Sequence, residues 1–145
     1  MDVEHASGGA AAAAGSWDEH ATRYASQERL EARAIEAALR LADRRPQDRL
    51  VDLGTGTGAL LRALAARAGR PTTTMGVDCS AGMLAQVGQL PEDWRVIQGD
   101  ARQVPLPDGA ADVVTCCYLL HLLGMEVRGR VRLAVCSAVR RALGW

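Results

Sequence analysis

The sequence predicts an open α/β fold, a parallel β-sheet flanked by helices, and three observations carry that prediction. Short apolar or β-branched runs alternate with helix-forming segments, the glycine-rich stretch VDLGTGTGALL (51–61) follows the first run, and Asp52, Asp78 and Asp100 stand at the ends of the first three runs. Strands separated by helices at this spacing pair in parallel through right-handed crossovers.

At 145 residues, 48% hydrophobic and 23% charged, the chain has the length and composition of one globular domain with its own core. A formal net charge of +0 gives no pull toward nucleic acid or an anionic membrane, and no segment approaches the length of a membrane span. The 17 Lys+Arg positions are all Arg, which removes Walker-type phosphate loops and pyridoxal-phosphate Schiff bases, since both need a Lys. The cysteines, Cys79, Cys116, Cys117 and Cys136, have neither CxxC nor zinc-ligand spacing. The expectation is therefore reduced thiols in a cytoplasmic protein with no metal site. Asp2 and Glu4, with no basic region or long apolar run after them, argue against a secretory signal.

Taken in order, residues 1–16 include the low-complexity run SGGAAAAAGS and read as a flexible Ala/Gly-rich tail, so the domain is expected over 17–145. Over 28–44, Leu30, Ala34, Ala38 and Leu41 fall on one helical face, Glu36 and Arg40 form a surface pair, and the helix should end before Pro46. RLVDL is a short buried strand leading into the glycine loop, and 59–68 is a helix closed by Gly69. TTTMGVD is a second strand, and Ser80 is the N-cap of a short helix over 81–89. WRVIQGD is a third strand, VPLPDGA a turn-rich loop, and ADVVTCC a fourth strand, apolar on both faces as a buried parallel strand is. Val131, Ala134, Val135, Ala138 and Ala142 then share one face of a helix expected over 127–143.

In open α/β sheets ligands bind beyond the carboxyl ends of the strands, where the glycine loop falls. Gly54, Gly56 and Gly58 let the backbone come close to a ligand, although a glycine run can also be a plain strand-to-helix turn. Gly54, Gly56 and Ala59 also satisfy the looser dinucleotide pattern GxGxxG/A. Against a pyrophosphate stands Asp52, because a carboxylate there repels phosphate and suits an ammonium or sulfonium group. Asp78 is spaced to accept hydrogen bonds from ribose hydroxyls. Asp100 offers an acceptor to an adenine amino group, and the Ala101 N–H a donor to a ring nitrogen.

VDLGTGTG, GVDCSAGML, GDARQVPLPDGAADVV and CCYLLHLL, in that order, resemble the class I S-adenosylmethionine-dependent methyltransferases, near the ubiquinone/menaquinone and other small-molecule methyltransferases. The resemblance implies a Rossmann-like sheet of strand order 3-2-1-4, with S-adenosyl-L-methionine as cofactor. It implies that Asp52, Gly54, Gly56 and Gly58 surround the methionine portion, that Asp78 takes the ribose, and that Cys79 and Met83 flank the adenine. Asp100 and Ala101 would read the adenine edge, and Cys116 and Cys117 lie beside the methionine end. It also marks 17–45 as an N-terminal lid helix, with Tyr24 closing over the cofactor.

Methyl transfer from a sulfonium is an in-line displacement, so the protein has mainly to align the acceptor with the methyl group. A base is needed only where the acceptor must lose a proton, and His121, just after the fourth strand, is the candidate. The family's sheet has seven strands, and the chain is expected to lack strands 5–7 and much of the acceptor pocket. That would leave the apolar fourth strand on an open edge, where a homodimer could complete the sheet. Three readings follow: a methyltransferase acting on a small-molecule acceptor, an inactive S-adenosylmethionine-binding module or partner subunit, and a nicotinamide-binding domain.

Overall fold

The computed structural model describes residues 15–19, 28–104, 106–107, 109–117 and 132–135. Two helices and a strand open the αβ alternation: residues 15–19 are helical, α1 spans Glu28–Leu41, and β1 spans Arg49–Leu53. There follow α2 (Ala59–Ala65), β2 (Thr73–Asp78), α3 (Ala81–Leu84), β3 (Trp94–Gln98), a 3₁₀ turn at Ala101–Gln103, β4 (Val113–Cys116) and β5 (Arg132–Val135). Among the described residues five strands run parallel in the order β3-β2-β1-β4-β5. The predicted order 3-2-1-4 is present, and the sheet goes one strand further.

That extra strand corrects the expected helix over 127–143 and the expected absence of a fifth strand. Val113 pairs with Arg132 and Cys116 with Val135, so β4 is hydrogen-bonded on both sides. A four-residue run such as RLAV does not declare its period, and an open parallel edge offers its backbone groups partners that a local helical reading does not weigh. The same pairing removes the premise of a homodimer across an exposed β4 edge.

Ile35, Ala38 and Leu39 of α1 are buried, with Ala42 just after it; of the predicted stripe Ala38 is buried and Ala34 half-buried, but Leu41 is 47% exposed. The face is rotated because residues 35, 38, 39 and 42 follow the i, i+3, i+4, i+7 spacing that meets α2 and the sheet. Glu36 likewise reaches Arg67 rather than Arg40. The Asp43 backbone (φ 40) and Pro46 lie beyond the helix end, which falls before Pro46 as predicted. Ser80 caps α3 by accepting from the Met83 N–H at 3.1 Å.

The sheet separates two apolar clusters, and the pleat assigns residues to them alternately. Leu50 and Val113 join Leu39, Leu61, Leu64 and Trp94 on the α1/α2 side, while Val51, Leu53, Val77 and Cys116 pack with Ala101 on the other. Each fully buried leucine contributes about 2 kcal/mol through removal from water. Arg49 fixes the start of β1 against the approach to β4 through Nε and Nη2 to the Asp112 carboxylate (3.0 and 3.1 Å) and Nη2 to the Gly109 carbonyl (2.8 Å).

Gly76, in the middle of β2, is a packing glycine. A Cβ there would stand 2.8 Å from Thr55 Oγ1 and 2.9 Å from Leu61 Cδ1. Gly76→Ala is therefore expected to cost about 1–3 kcal/mol through overpacking, read as a lower urea midpoint with an unchanged slope.

Candidate functional site

The site grows out of the pleat of β1. Asp52 alternates with Val51 and Leu53, so its side chain takes the α1/α2 face, where in-register Thr115 lies opposite on β4. The Thr115 hydroxyl donates to Asp52 Oδ1 at 2.6 Å. Asp52 is only 2% exposed. Burial pushes its carboxyl up from an ordinary 3.8 to about 6, the hydroxyls of Thr115 and then Thr55 pull it down, and the Asp78 charge pushes it up further.

The glycine loop turns between β1 and α2 with Gly54, Gly56 and Gly58 all at positive φ (69, 57 and 79). Their surroundings differ. A Cβ on Gly56 would meet nothing within 4 Å, whereas one on Gly58 would stand 2.9 Å from Val87 Cγ1. Gly56 thus keeps open space in front of the loop, and Gly58 allows the start of α2 to pack on the segment after α3. Four loop N–H groups are satisfied within the protein. Gly54 and Thr55 donate to the Val77 carbonyl (2.8 and 3.0 Å), Gly58 to the Thr55 carbonyl (2.9 Å), and Gly56 to Asp78 Oδ2 (2.9 Å). These four are therefore not presented to a pyrophosphate, which a dinucleotide loop needs.

Asp78 binds two loops together, because its other oxygen, Oδ1, accepts from the Ser80 N–H at 2.9 Å. Its carbonyl accepts from the Gly99 N–H at 2.9 Å, and Gln98 Nε2 donates to the Cys79 carbonyl at 3.0 Å. The ends of β2 and β3 are so held side by side, which sets Asp78, Cys79, Asp100 and Ala101 along one rim. Burial, and then the charge of Asp78, push the Cys79 thiol up, so it is a neutral group.

A cleft opens beside the glycine loop, lined by Glu31 and Ile35 of α1, by Asp52, by loop residues 54–57, by Ala59 and Leu60, and by Cys117, while Asp78, Cys79, Asp100 and Ala101 do not line it. Among the predicted residues it brings together Asp52, Gly54, Gly56 and Cys117. Gly58 lies behind the loop, and Met83 is enclosed at 3% exposure. Cys116 points by pleat alternation to the opposite face, where it is a core residue at 0% exposure, while Cys117 shares the face of Thr115. Tyr24 and His121 lie outside the described residues.

Four contributors were missed by sequence reasoning. Thr115 becomes visible only once β4 is in register with β1. Arg62 braces the loop by donating from Nη1 to the carbonyls of Thr57 (2.5 Å) and Val87 (2.9 Å). Asp18 accepts from the Gly82 N–H at 2.7 Å and from the Ser80 hydroxyl, which draws residues 15–19 to the rim and lowers the Asp18 pKa. Glu31 stands one helical turn before Ile35, and only the packing of α1 shows that both meet the cleft.

Asp52 sets a pH dependence. Its folded pKa, about 6, lies above the ordinary 3.8, so the stability it contributes is complete below about pH 4 and is lost as the pH rises through 6. Two pKa units correspond to about 3 kcal/mol. Asp52→Asn should remove this step: in urea unfolding, the stability of the variant relative to the parent rises between pH 4 and pH 7.

Comparison with known proteins places this geometry. The methyltransferase-domain family matches residues 50–143. A demethylmenaquinone methyltransferase of Mycolicibacterium vanbaalenii is 34% identical over 121 residues, covering 77% of this chain and 50% of that protein. One from Beutenbergia cavernae is 32% identical, covering 80% and 49%. The chain thus spans about half the length of the curated relatives it matches. A Haloferax volcanii methyltransferase, solved in complex with the Trm112 methyltransferase activator, superposes with a TM-score of 0.68 at 27% identity over 74% of this chain and 48% of that one. The family match over residues 50–143 shows the family: the chain belongs to the class I S-adenosylmethionine-dependent methyltransferases.

Proposed function

We propose that this chain binds S-adenosylmethionine at the β1–β2–β3 rim and serves methyl transfer to a small-molecule acceptor by in-line displacement. The observation that carries the reading is the rim: a positive-φ glycine loop with open space at Gly56, flanked by Asp52 and Asp78 and followed by Asp100. The residues fit the cofactor. A bound S-adenosylmethionine brings an activated methyl group and its own neutral leaving group.

What remains for the protein is positioning. Asp78 spends one lone pair of each oxygen on the Gly56 and Ser80 N–H groups, and a carboxylate retains others for the two ribose hydroxyls. Cys79 and Met83 border the adenine, with Met83 acting from beneath as an enclosed wall. Asp100 accepts from the adenine amino group and the Ala101 N–H meets a ring nitrogen. The cleft of Asp52, Gly54, Gly56 and Cys117 receives the methionine portion. Tyr24 closes over the cofactor and His121 takes a proton where the acceptor must lose one. Among the described residues no helix is long and apolar enough to cross a membrane. Cys79, Cys116 and Cys117 are not joined in disulfides, which supports a cytoplasmic setting.

The cofactor assignment is tested by thermal unfolding with S-adenosylhomocysteine, with NAD as control. At one hundred times its dissociation constant a ligand adds about 2.7 kcal/mol, so the melting temperature should rise by several degrees with the former and not with NAD. Asp78→Ala should abolish the shift whatever its own melting temperature. A shift with NAD alone would replace this reading with a nicotinamide site.

A further inference from the structure

Ser80 stands between two carboxylates. Its backbone N–H donates to Asp78 Oδ1 at 2.9 Å, and its hydroxyl donates to Asp18 of the helical segment 15–19, 62 residues away along the chain. The same hydroxyl oxygen accepts from the Met83 N–H at 3.1 Å. Ser80 is wholly enclosed, at 0% exposure. A buried hydroxyl needs an acceptor for its proton, and Asp18 is the one it has. The contact is shaped as well as bonded. The Gly82 N–H donates to Asp18 Oδ1 at 2.7 Å, and a Cβ on Gly82 would stand 2.9 Å from that oxygen and 3.1 Å from Asp18 Cα. Segment 15–19 reaches the turn into α3 because residue 82 has no side chain to hold it off.

We propose that Asp18 is a positioning residue that acts through Ser80 on Asp78, so that the docking of segment 15–19 sets the orientation of the carboxylate that takes the ribose. The inference rests on the cofactor reading above. Asp78 is oriented by two donors from separate segments, the Ser80 N–H on Oδ1 and the Gly56 N–H on Oδ2, each at 2.9 Å. Without Asp18 the enclosed Ser80 hydroxyl must turn toward another acceptor. The N–H of the same residue shifts with it, and one of the two donors that orient the Asp78 carboxylate is loosened. Hydrogen bonds joined in one network weaken together, so a change at Asp18 reaches Asp78 without any contact between the two. The dependence runs both ways, because coupling between two binding events is reciprocal: a ribose held by Asp78 also favours the docked segment.

Amide hydrogen exchange and calorimetric titration of the full chain test this. In ligand-free Asp18→Ala, exchange at the Ser80 and Gly56 N–H groups, both donated to Asp78, should quicken about tenfold, while the Leu64 N–H of α2 keeps its parental rate. S-adenosylhomocysteine should bind Asp18→Ala about fivefold more weakly than the parent, and Asp18→Asn, which keeps an acceptor oxygen, within about twofold. Gly82→Ala crowds the segment while leaving Asp18 in place. It should reproduce both effects and add little to Asp18→Ala when the two are combined. Unchanged affinity in Asp18→Ala overturns the proposal. So does a loss of affinity with Gly56 exchange unaltered, or with Leu64 quickened to the same degree, which marks a general loosening of the fold. A parent that binds no S-adenosylhomocysteine overturns the cofactor reading itself, and the ligand-free exchange rates then report separately whether Asp18 holds Asp78 in place.

Discussion

The parallel pairing of β1 with β2 on one side and β4 on the other is the constraint on which the site depends. It places the loop after β1 at the point where the strand order reverses, and a crevice forms there because the crossovers on either side leave in opposite directions. It also places Asp52 opposite Thr115 in register, so a carboxylate that would be costly to bury has a donor 2.6 Å away. With β4 shifted by one residue, Thr115 would turn to the other face and Asp52 would lose its partner.

From that pairing the rest of the rim is assembled by short polar contacts rather than by apolar packing. Asp78 serves the glycine loop with one oxygen and the turn into α3 with the other. Arg62 reaches back from α2 to carbonyls on both sides of the same space, and Asp18 fastens residues 15–19 to the α3 turn. Three segments distant in sequence thereby meet at one end of the sheet, with the two apolar clusters holding the sheet beneath them. Polar groups suit this task because their geometry is directional, whereas apolar burial only requires that surfaces meet.

The same economy explains why the loop looks like a nucleotide-binding turn yet does not present four of its N–H groups to a phosphate. The groups that a dinucleotide loop offers outward are here used to bind β2 and Asp78. What remains in front of Gly56 is open space beside acidic side chains, an environment that favours a cation over an anion.

The sequence by itself determined the αβ alternation, the first four strands, the positive-φ glycine turn, the Ser80 cap and the three rim aspartates. These follow from local causes: the two-residue and 3.6-residue periods, the freedom of glycine and the short reach of a capping hydroxyl. Tertiary structure decided the remainder. Whether RLAV is helix or strand depended on the open edge of β4, and which stripe of α1 is buried depended on where α2 lies. Cys116 and Cys117 are adjacent in sequence, and only the pleat sends one to the core and the other to the cleft. Thr115, Arg62, Asp18 and Glu31 owe their places to contacts across the fold, since a side chain's partner is chosen by register and packing distance, neither of which is written in its neighbours along the chain.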